Sequence, residues 1–146
     1  MFAKNPLFIS LLCSLCIITF SCDKSKEEIA LLEKEVLDIH DEVMPMMGPG
    51  TDMDSLSLSL TDSLEVYLAD TAAVAKAKAK TFQEAIGNLE SANESMMVWM
   101  REYQPGMEEG ETPVDRIAYL QSELAKVKEM KEQTLTSIEE AKSLIE

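Results

Sequence analysis

Few residues in this sequence would interrupt a helix or build a sheet. The chain of 146 residues has five glycines, five prolines and 5% aromatic residues. The chain is instead rich in alanine, leucine, glutamate, lysine and methionine, whose side chains favour helix. Cysteine is also scarce, and its three copies all lie within the first 22 residues. The sequence therefore predicts an all-α protein whose remaining 124 residues hold neither a disulfide nor a reactive thiol.

Basic residues are the next shortage. The chain has 13 lysines and arginines against 27 acids, and its net charge is −14. Binding to nucleic acid depends on neutralising phosphates with lysine and arginine, so we expect no nucleic-acid partner. The same charge predicts repulsion from anionic lipid headgroups.

Motifs of common enzyme classes are missing as well. The sequence has no Gly-x-Ser-x-Gly, no His-Glu-x-x-His and no glycine-rich phosphate loop. Its single histidine, His40, precedes Asp41 and Glu42 in a segment with helical periodicity. Consecutive residues of a helix point in different directions, so these three side chains cannot act jointly on one substrate atom. We expect a protein that is not an enzyme.

The first residues have the pattern of a secretory signal peptide. Lys4 precedes an apolar run over 7–20, and the small residue Ser21 stands directly before Cys22. The run has 14 residues, fewer than the roughly 20 that a membrane-spanning helix needs. We therefore predict a signal peptide over 1–21 and a single domain over 22–146. Its removal would take away one basic residue and no acid, which changes the net charge from −14 to −15.

The stretch Thr19-Phe20-Ser21-Cys22 resembles the lipobox of bacterial lipoproteins. That resemblance implies lipid on Cys22, and therefore a protein anchored to a membrane without spanning it. The expected location is the cell envelope, at the outer membrane, on its periplasmic face or at the cell surface. Lys26-Glu27-Glu28 is similar to a short surface-export signal, although a solvated first helical turn explains these charges better.

Three helical arms are expected after the anchor. Apolar residues recur at helical spacing over 24–47 and 53–68, over 70–104, and from Pro113 to the end. The alternation of Ser and Leu over 55–60 would suit a strand, but a lone strand has no partner in a helical chain. We predict an elongated up-down-up three-helix bundle whose first helix is kinked or broken at 45–50, where Pro45, Gly48, Pro49 and Gly50 occur. Asp70 and Thr112 are the expected N-caps of the second and third arms.

Two methionine-rich segments carry the candidate sites. If the first arm turns into the second near residues 68–70, antiparallel pairing brings His40 beside Val98 and Trp99. Histidine and thioether ligands suit Cu(I), so one hypothesis is a soft-metal or haem site. Packing is the favoured explanation, because methionine fills gaps in cores and packs against aromatic rings. The third hypothesis is a groove that binds a protein partner. The candidate ligands are His40, Met44, Met47, Met96, Met97 and Met100, and the candidate partner-binding residues are Trp99, Arg101 and Tyr119.

A resemblance covers nearly all of the chain after residue 21. His-Asp-Glu-Val-Met-Pro at 40–45 and Met-Met-Val-Trp-Met-Arg at 96–101, together with the lipobox, look like motifs of a family of small Bacteroidota lipoproteins. Members of that family are sometimes labelled viral A-type inclusion protein. The resemblance implies a lipid-anchored helical protein, and it implies no activity.

Overall fold

A computed structural model describes the backbone of residues 6–145 and the side chains of residues 24–145. Over this range the protein is all-α, with four helices packed as a bundle and no strand. The helices are α1 (Pro6–Val43), α2 (Asp52–Leu68), α3 (Ala73–Glu102) and α4 (Pro113–Ile145), and a short 3₁₀ turn over Met44–Met46 follows α1. The predicted signal peptide and Cys22 lie outside the residues whose side chains are described.

The predicted break in the first arm is confirmed. Pro45 lies in the 3₁₀ turn, and Gly48 and Gly50 adopt positive φ angles of 95° and 79°. A side chain at either glycine would be strained, so these two residues let the chain reverse its local direction. Thr51 then closes the turn by donating its hydroxyl proton to the Gly48 carbonyl oxygen, at 2.7 Å. The serine-leucine alternation belongs to α2, as the helical interpretation required.

The contacts between helices give their relative directions. Lys131 of α4 binds Glu42 of α1 at 2.7 Å, and Lys142 reaches Asp52 at the start of α2 at 3.9 Å. Both helices of the first arm therefore run parallel to α4. In contrast, Trp99 of α3 binds Glu123 of α4, and Asn88 binds Glu140, so α3 and α4 are antiparallel.

The predicted register between the first arm and α3 is confirmed at only one end. His40 lies against Trp99, with ring centroids 5.6 Å apart. The same rule would place Tyr67 beside Thr71, but the Tyr67 ring contacts Phe82 at 5.4 Å. The prediction was wrong there because the turn between α1 and α2 uses up residues without advancing along the bundle axis.

The core follows the seam between all four helices. Leu135 and Ile145 of α4 lie at its edge, 40% and 41% exposed, whereas Thr134 is fully buried. The buried positions of α4 recur every three or four residues and include several polar ones: Arg116, Leu120, Glu123, Val127, Met130, Thr134, Ser137, Ile138 and Ala141.

The predicted N-cap of α4 is confirmed, and that of α3 is wrong. The Thr112 hydroxyl accepts the Asp115 backbone N–H at 3.2 Å and donates to the Asp115 carboxylate at 2.6 Å. Asp70 instead accepts the backbone N–H of Ala72, the residue that caps α3. Among the residues that the structure describes, no helix combines the length and apolar character needed to cross a membrane.

Candidate binding groove between α3 and α4

The structure places five of the six candidate metal ligands in or against the core. Met47 and Met96 are buried, while Met44 and Met100 are half-buried and pack against the same core. His40 is also half-buried, and its Nδ1 lies 2.9 Å from an oxygen of Asp41. Met97 does not join this group, because it is 40% exposed on α3. Over the described residues, no group of three or more histidine, cysteine or acidic side chains could hold a metal ion.

Aromatic rings continue from His40 across the end of the bundle. The Trp99 ring lies 4.8 Å from that of Tyr103, which lies 6.3 Å from that of Tyr119. The Tyr119 hydroxyl accepts the backbone N–H of Gln104 at 2.8 Å. This bond ties α4 to the residues that follow α3. Burial raises the pKa of Tyr103 above its ordinary value, because the phenolate would lose solvation there.

Arg116 is buried beside this aromatic series. Its guanidinium lies over the Tyr119 ring, 5.0 Å from the centroid, and is only 1% exposed. It donates to a Glu33 carboxylate oxygen at 2.8 Å and to the Gln104 carbonyl oxygen at 3.0 Å. The Nε atom has no hydrogen-bond partner. Arg116 therefore links α1, α4 and the segment after α3, with Glu33 as its counter-charge.

Glu123 is the second buried charge, one heptad further along α4. Its Oε2 accepts the indole N–H of Trp99 at 2.7 Å, and its Oε1 accepts the ammonium of Lys126 at 2.7 Å. The carboxylate side chain is 5% exposed and the lysine side chain is 55% exposed. The hydrogen bond to Glu123 raises the pKa of Lys126 above its ordinary value. The Glu123 carboxylate is thus held inside the bundle by a buried donor, the Trp99 indole, and a half-exposed donor, the Lys126 ammonium.

A groove of about 760 Å³ opens over these residues between α3 and α4. Volumes of this size are typical of small-molecule sites. Trp99 and Tyr119 contribute aromatic surface, and Lys126 is the one cationic residue of the described lining. The described lining residues are Ser91, Glu94, Ser95, Val98, Trp99, Glu102, Gln104, Tyr119, Glu123, Lys126, Glu129, Met130 and Gln133.

Four of the lining residues are glutamates, and they differ in how they are paired. Glu123 binds Lys126, and Glu94 binds Arg101 at 3.0 Å. Glu102 and Glu129 have no ion-pair partner among the described residues. The groove therefore carries a net negative charge, and two of its carboxylates form no ion pair with a cation of the described residues.

The predicted partner-binding residues are divided by this geometry. Trp99 and Tyr119 line the groove. Arg101 does not, since its guanidinium is 60% exposed and only reaches the groove through Glu94. The sequence analysis missed Glu123 and Lys126 as site residues. A usable signal existed, because Glu123 follows Leu120 by three residues and precedes Val127 by four, which places a charge within an apolar stripe.

Comparison with known proteins returned no family model, no curated protein and no solved structure that matches this chain.

Proposed function

We propose that this chain is a lipid-anchored protein of the bacterial cell envelope that binds a ligand in the groove between α3 and α4. The anchor is lipid on Cys22, after removal of residues 1–21, and the location is the outer membrane. Its kinship with the small Bacteroidota lipoproteins that share its motifs is part of this proposal. We interpret α1 and α2 as one arm of an elongated up-down-up bundle, with the groove between the other two arms.

The observation that carries the binding role is the buried Glu123 carboxylate in the groove lining. A carboxylate inside a helical bundle costs free energy of desolvation that an apolar residue would avoid. Here it hydrogen-bonds the indole of Trp99 and faces a concave surface of small-molecule size. Apolar walls with a few fixed polar groups are the usual construction of a ligand site.

Binding is favoured over catalysis by the chemistry of the lining. The one histidine of the chain, His40, is not among the lining residues that the structure describes. The serines Ser91 and Ser95 have no histidine or lysine base beside them in hydrogen-bond contact. A nucleophile needs such a base to be activated.

The binding role is tested through Trp99, the only tryptophan of the chain. Its fluorescence would be measured in the full-length protein, in a nonionic detergent, against small cations, anions and neutral compounds. We expect a saturable change for at least one charge class. The matched variants are Ser95→Arg, which places a long side chain in the groove, and Ser59→Arg, which makes the same substitution at an exposed position of α2 outside the groove lining. The binding role is refuted if no class gives saturation, or if both variants bind alike.

The anchor is tested separately by mass spectrometry of the protein from a native envelope. We expect an amino-terminal peptide that begins at Cys22 and carries the mass of acyl chains. A Cys22→Ala variant should lose both the cleavage and the membrane association. An unmodified Cys22 within an uncleaved chain would contradict the anchor and leave the groove unaffected.

A soft-metal or haem site is the second candidate function. The observation in its favour is that the half-buried His40 lies against Trp99, with Met96 one helical turn before that tryptophan. Titration with Cu(I) or haem should then show tight binding that His40→Ala abolishes. Met97→Leu is the matched control, because that thioether is exposed outside the core and its loss should change nothing.

A further inference from the structure

The groove already holds one cation of its own. Lys126 presents a primary ammonium on a flexible aliphatic stem, and that ammonium lies 2.7 Å from Glu123 Oε1. The lysine side chain is 55% exposed, so it can return to solvent without leaving a buried gap. The interaction shows that the buried carboxylate accepts a primary ammonium group.

The remaining charges of the groove call for more than one cation. Glu102 and Glu129 line the same groove without an ion-pair partner among the described residues. Glu102 lies one helical turn after Trp99, the residue whose indole binds Glu123. One ammonium at Glu123 would leave these carboxylates for a second and a third.

The surface beyond the groove has the same character. Two depressions of about 450 and 320 Å³ continue along α3 and α4. The larger shares lining residues with the groove, and the smaller shares lining residues with the larger. Glu84, Glu132 and Glu140 line them, and their described lining includes no lysine or arginine. A negative potential therefore extends from Tyr119 towards the carboxyl end of α4, which favours an elongated cation over a compact one.

The groove wall supplies the apolar half of the recognition. Trp99, Tyr119 and Met130 line it beside the carboxylates. Aromatic faces attract ammonium groups, and the methylene segments of an aliphatic amine can pack against them. An inorganic cation such as Mg²⁺ would gain nothing from these side chains, and it prefers to keep its water ligands.

We propose that the ligand of the groove is a linear aliphatic polyamine, one of whose primary ammonium groups replaces Lys126 at Glu123. This inference rests on the proposed binding function and names the ligand class for it. The other ammonium groups lie towards Glu102 and Glu129, and the methylene segments cover Trp99 and Tyr119. Lys126 acts as an internal competitor that leaves the carboxylate when the ligand arrives.

Spermidine is the probe, titrated into the full-length protein in a nonionic detergent while Trp99 fluorescence is recorded. Glu123→Gln should weaken binding by about tenfold or more, because it removes the buried counter-charge. Its control, Glu139→Gln, makes the same charge change at an exposed residue of α4 outside the groove lining. Circular dichroism would establish that both variants are folded.

Lys126→Met gives the more diagnostic result, because it should tighten binding. Loss of the internal competitor raises the affinity for spermidine by about threefold, the range expected for a half-exposed ion pair. Lys128→Met is its control, since Lys128 lies on the same helix but pairs with Glu35 of α1. Attraction to the net charge of the whole protein would strengthen similarly in both variants, whereas displacement at Glu123 should strengthen binding more in Lys126→Met.

The outcomes separate the ligand class from the binding role. The polyamine proposal is overturned if Lys126→Met binds spermidine no more tightly than Lys128→Met, or if Glu123→Gln binds like Glu139→Gln. It is also overturned if a lysine-rich peptide saturates the groove and free polyamines do not, a result that would leave the binding role intact. Saturation by an anionic or neutral compound alone would likewise overturn the polyamine proposal and leave the binding role intact. If no compound of any charge changes the fluorescence, both the polyamine proposal and the proposed binding function are refuted.

Discussion

Two glutamates two residues apart on α1 offer a direct measure of what burial does to an ion pair. Glu33 binds Arg116 and Glu35 binds Lys128, each at 2.8 Å and each across the same helix pair. Arg116 is 1% exposed, whereas Lys128 is 54% exposed. Glu33→Gln and Glu35→Gln remove the same charge from the same helix, so their effects on the long-range field largely cancel in the comparison.

The expected losses of stability follow from the surroundings of each cation. Removing one partner of a fully buried pair costs about 3–5 kcal/mol, and an exposed pair is worth about 0–1 kcal/mol. Glu33 is itself 32% exposed, and glutamine keeps an oxygen acceptor for the guanidinium. We therefore expect Glu33→Gln to lower the free energy of unfolding by about 2 kcal/mol, and Glu35→Gln by less than about 0.5 kcal/mol.

Urea unfolding followed by far-ultraviolet circular dichroism measures both variants, provided that the slope of the transition stays the same. Repeating the measurement at high salt adds a second criterion, since buried pairs are screened less than exposed ones. The loss in Glu33→Gln should persist in salt, while that in Glu35→Gln should vanish. Equal losses in the two variants would show that Arg116 does not depend on Glu33 for its counter-charge.

Three further predictions test other parts of the bundle. Thr134→Val should raise the free energy of unfolding by about 1 kcal/mol, because the buried Thr134 hydroxyl has no hydrogen-bond partner among the described residues. In the control Thr136→Val, at an exposed position, the free energy of unfolding should stay within about 0.5 kcal/mol of the parent value. Equal shifts in the two variants would contradict this prediction. Burial raises the pKa of Tyr103 above 10.0, so its contribution to stability is complete below pH 10 and is lost as the pH rises through the folded-state value. Tyr103→Phe should therefore remove one phenol from the region of an absorbance titration above pH 10, and an unchanged curve there would refute this. Thr112→Ala should lower stability by about 1 kcal/mol through loss of the α4 cap, whereas Thr81→Ala, inside α3, should not.

Most of the fold was predictable because helices leave a periodic record in the sequence. The break in the first arm was visible in Pro45, Gly48 and Gly50, which specify it locally. The register beyond that break was not predictable, because it depends on how far the turn advances along the bundle axis. The predicted helix starts were likewise correct at one position and wrong at another. Thr112 caps α4 through its own side chain, but the local signal at Asp70 produced a turn two residues before the cap of α3.

The candidate site was only half predictable, and the missing half is polar. The aromatic residues Trp99 and Tyr119 were identifiable because rings are scarce in this chain. Glu123 and Arg116 were missed, since a charged residue in a helix is normally assigned to the solvated face, although Glu123 stands within an apolar stripe. Their burial depends on partners from other helices, namely Trp99 for the first and Glu33 for the second. Residues as far apart as 24 and 83 positions supply those partners, and no local pattern contains that information.

The distribution of buried charge along α4 supports a functional explanation over a purely structural one. Arg116 and Glu123 occupy two successive heptad positions of the stripe, whereas Val127, Met130, Ile138 and Ala141 continue it with apolar side chains. If charge in the core served only to fix the pairing of the helices, Arg116 with Glu33 would achieve that between α1 and α4. Glu123 adds no such link to another charged residue across the bundle; its ionic partner, Lys126, lies one turn away on the same helix and is half exposed. A buried carboxylate located at the groove, bound by Trp99 and by a half-exposed lysine, is an arrangement that stability alone would disfavour and that the proposed ligand binding would explain.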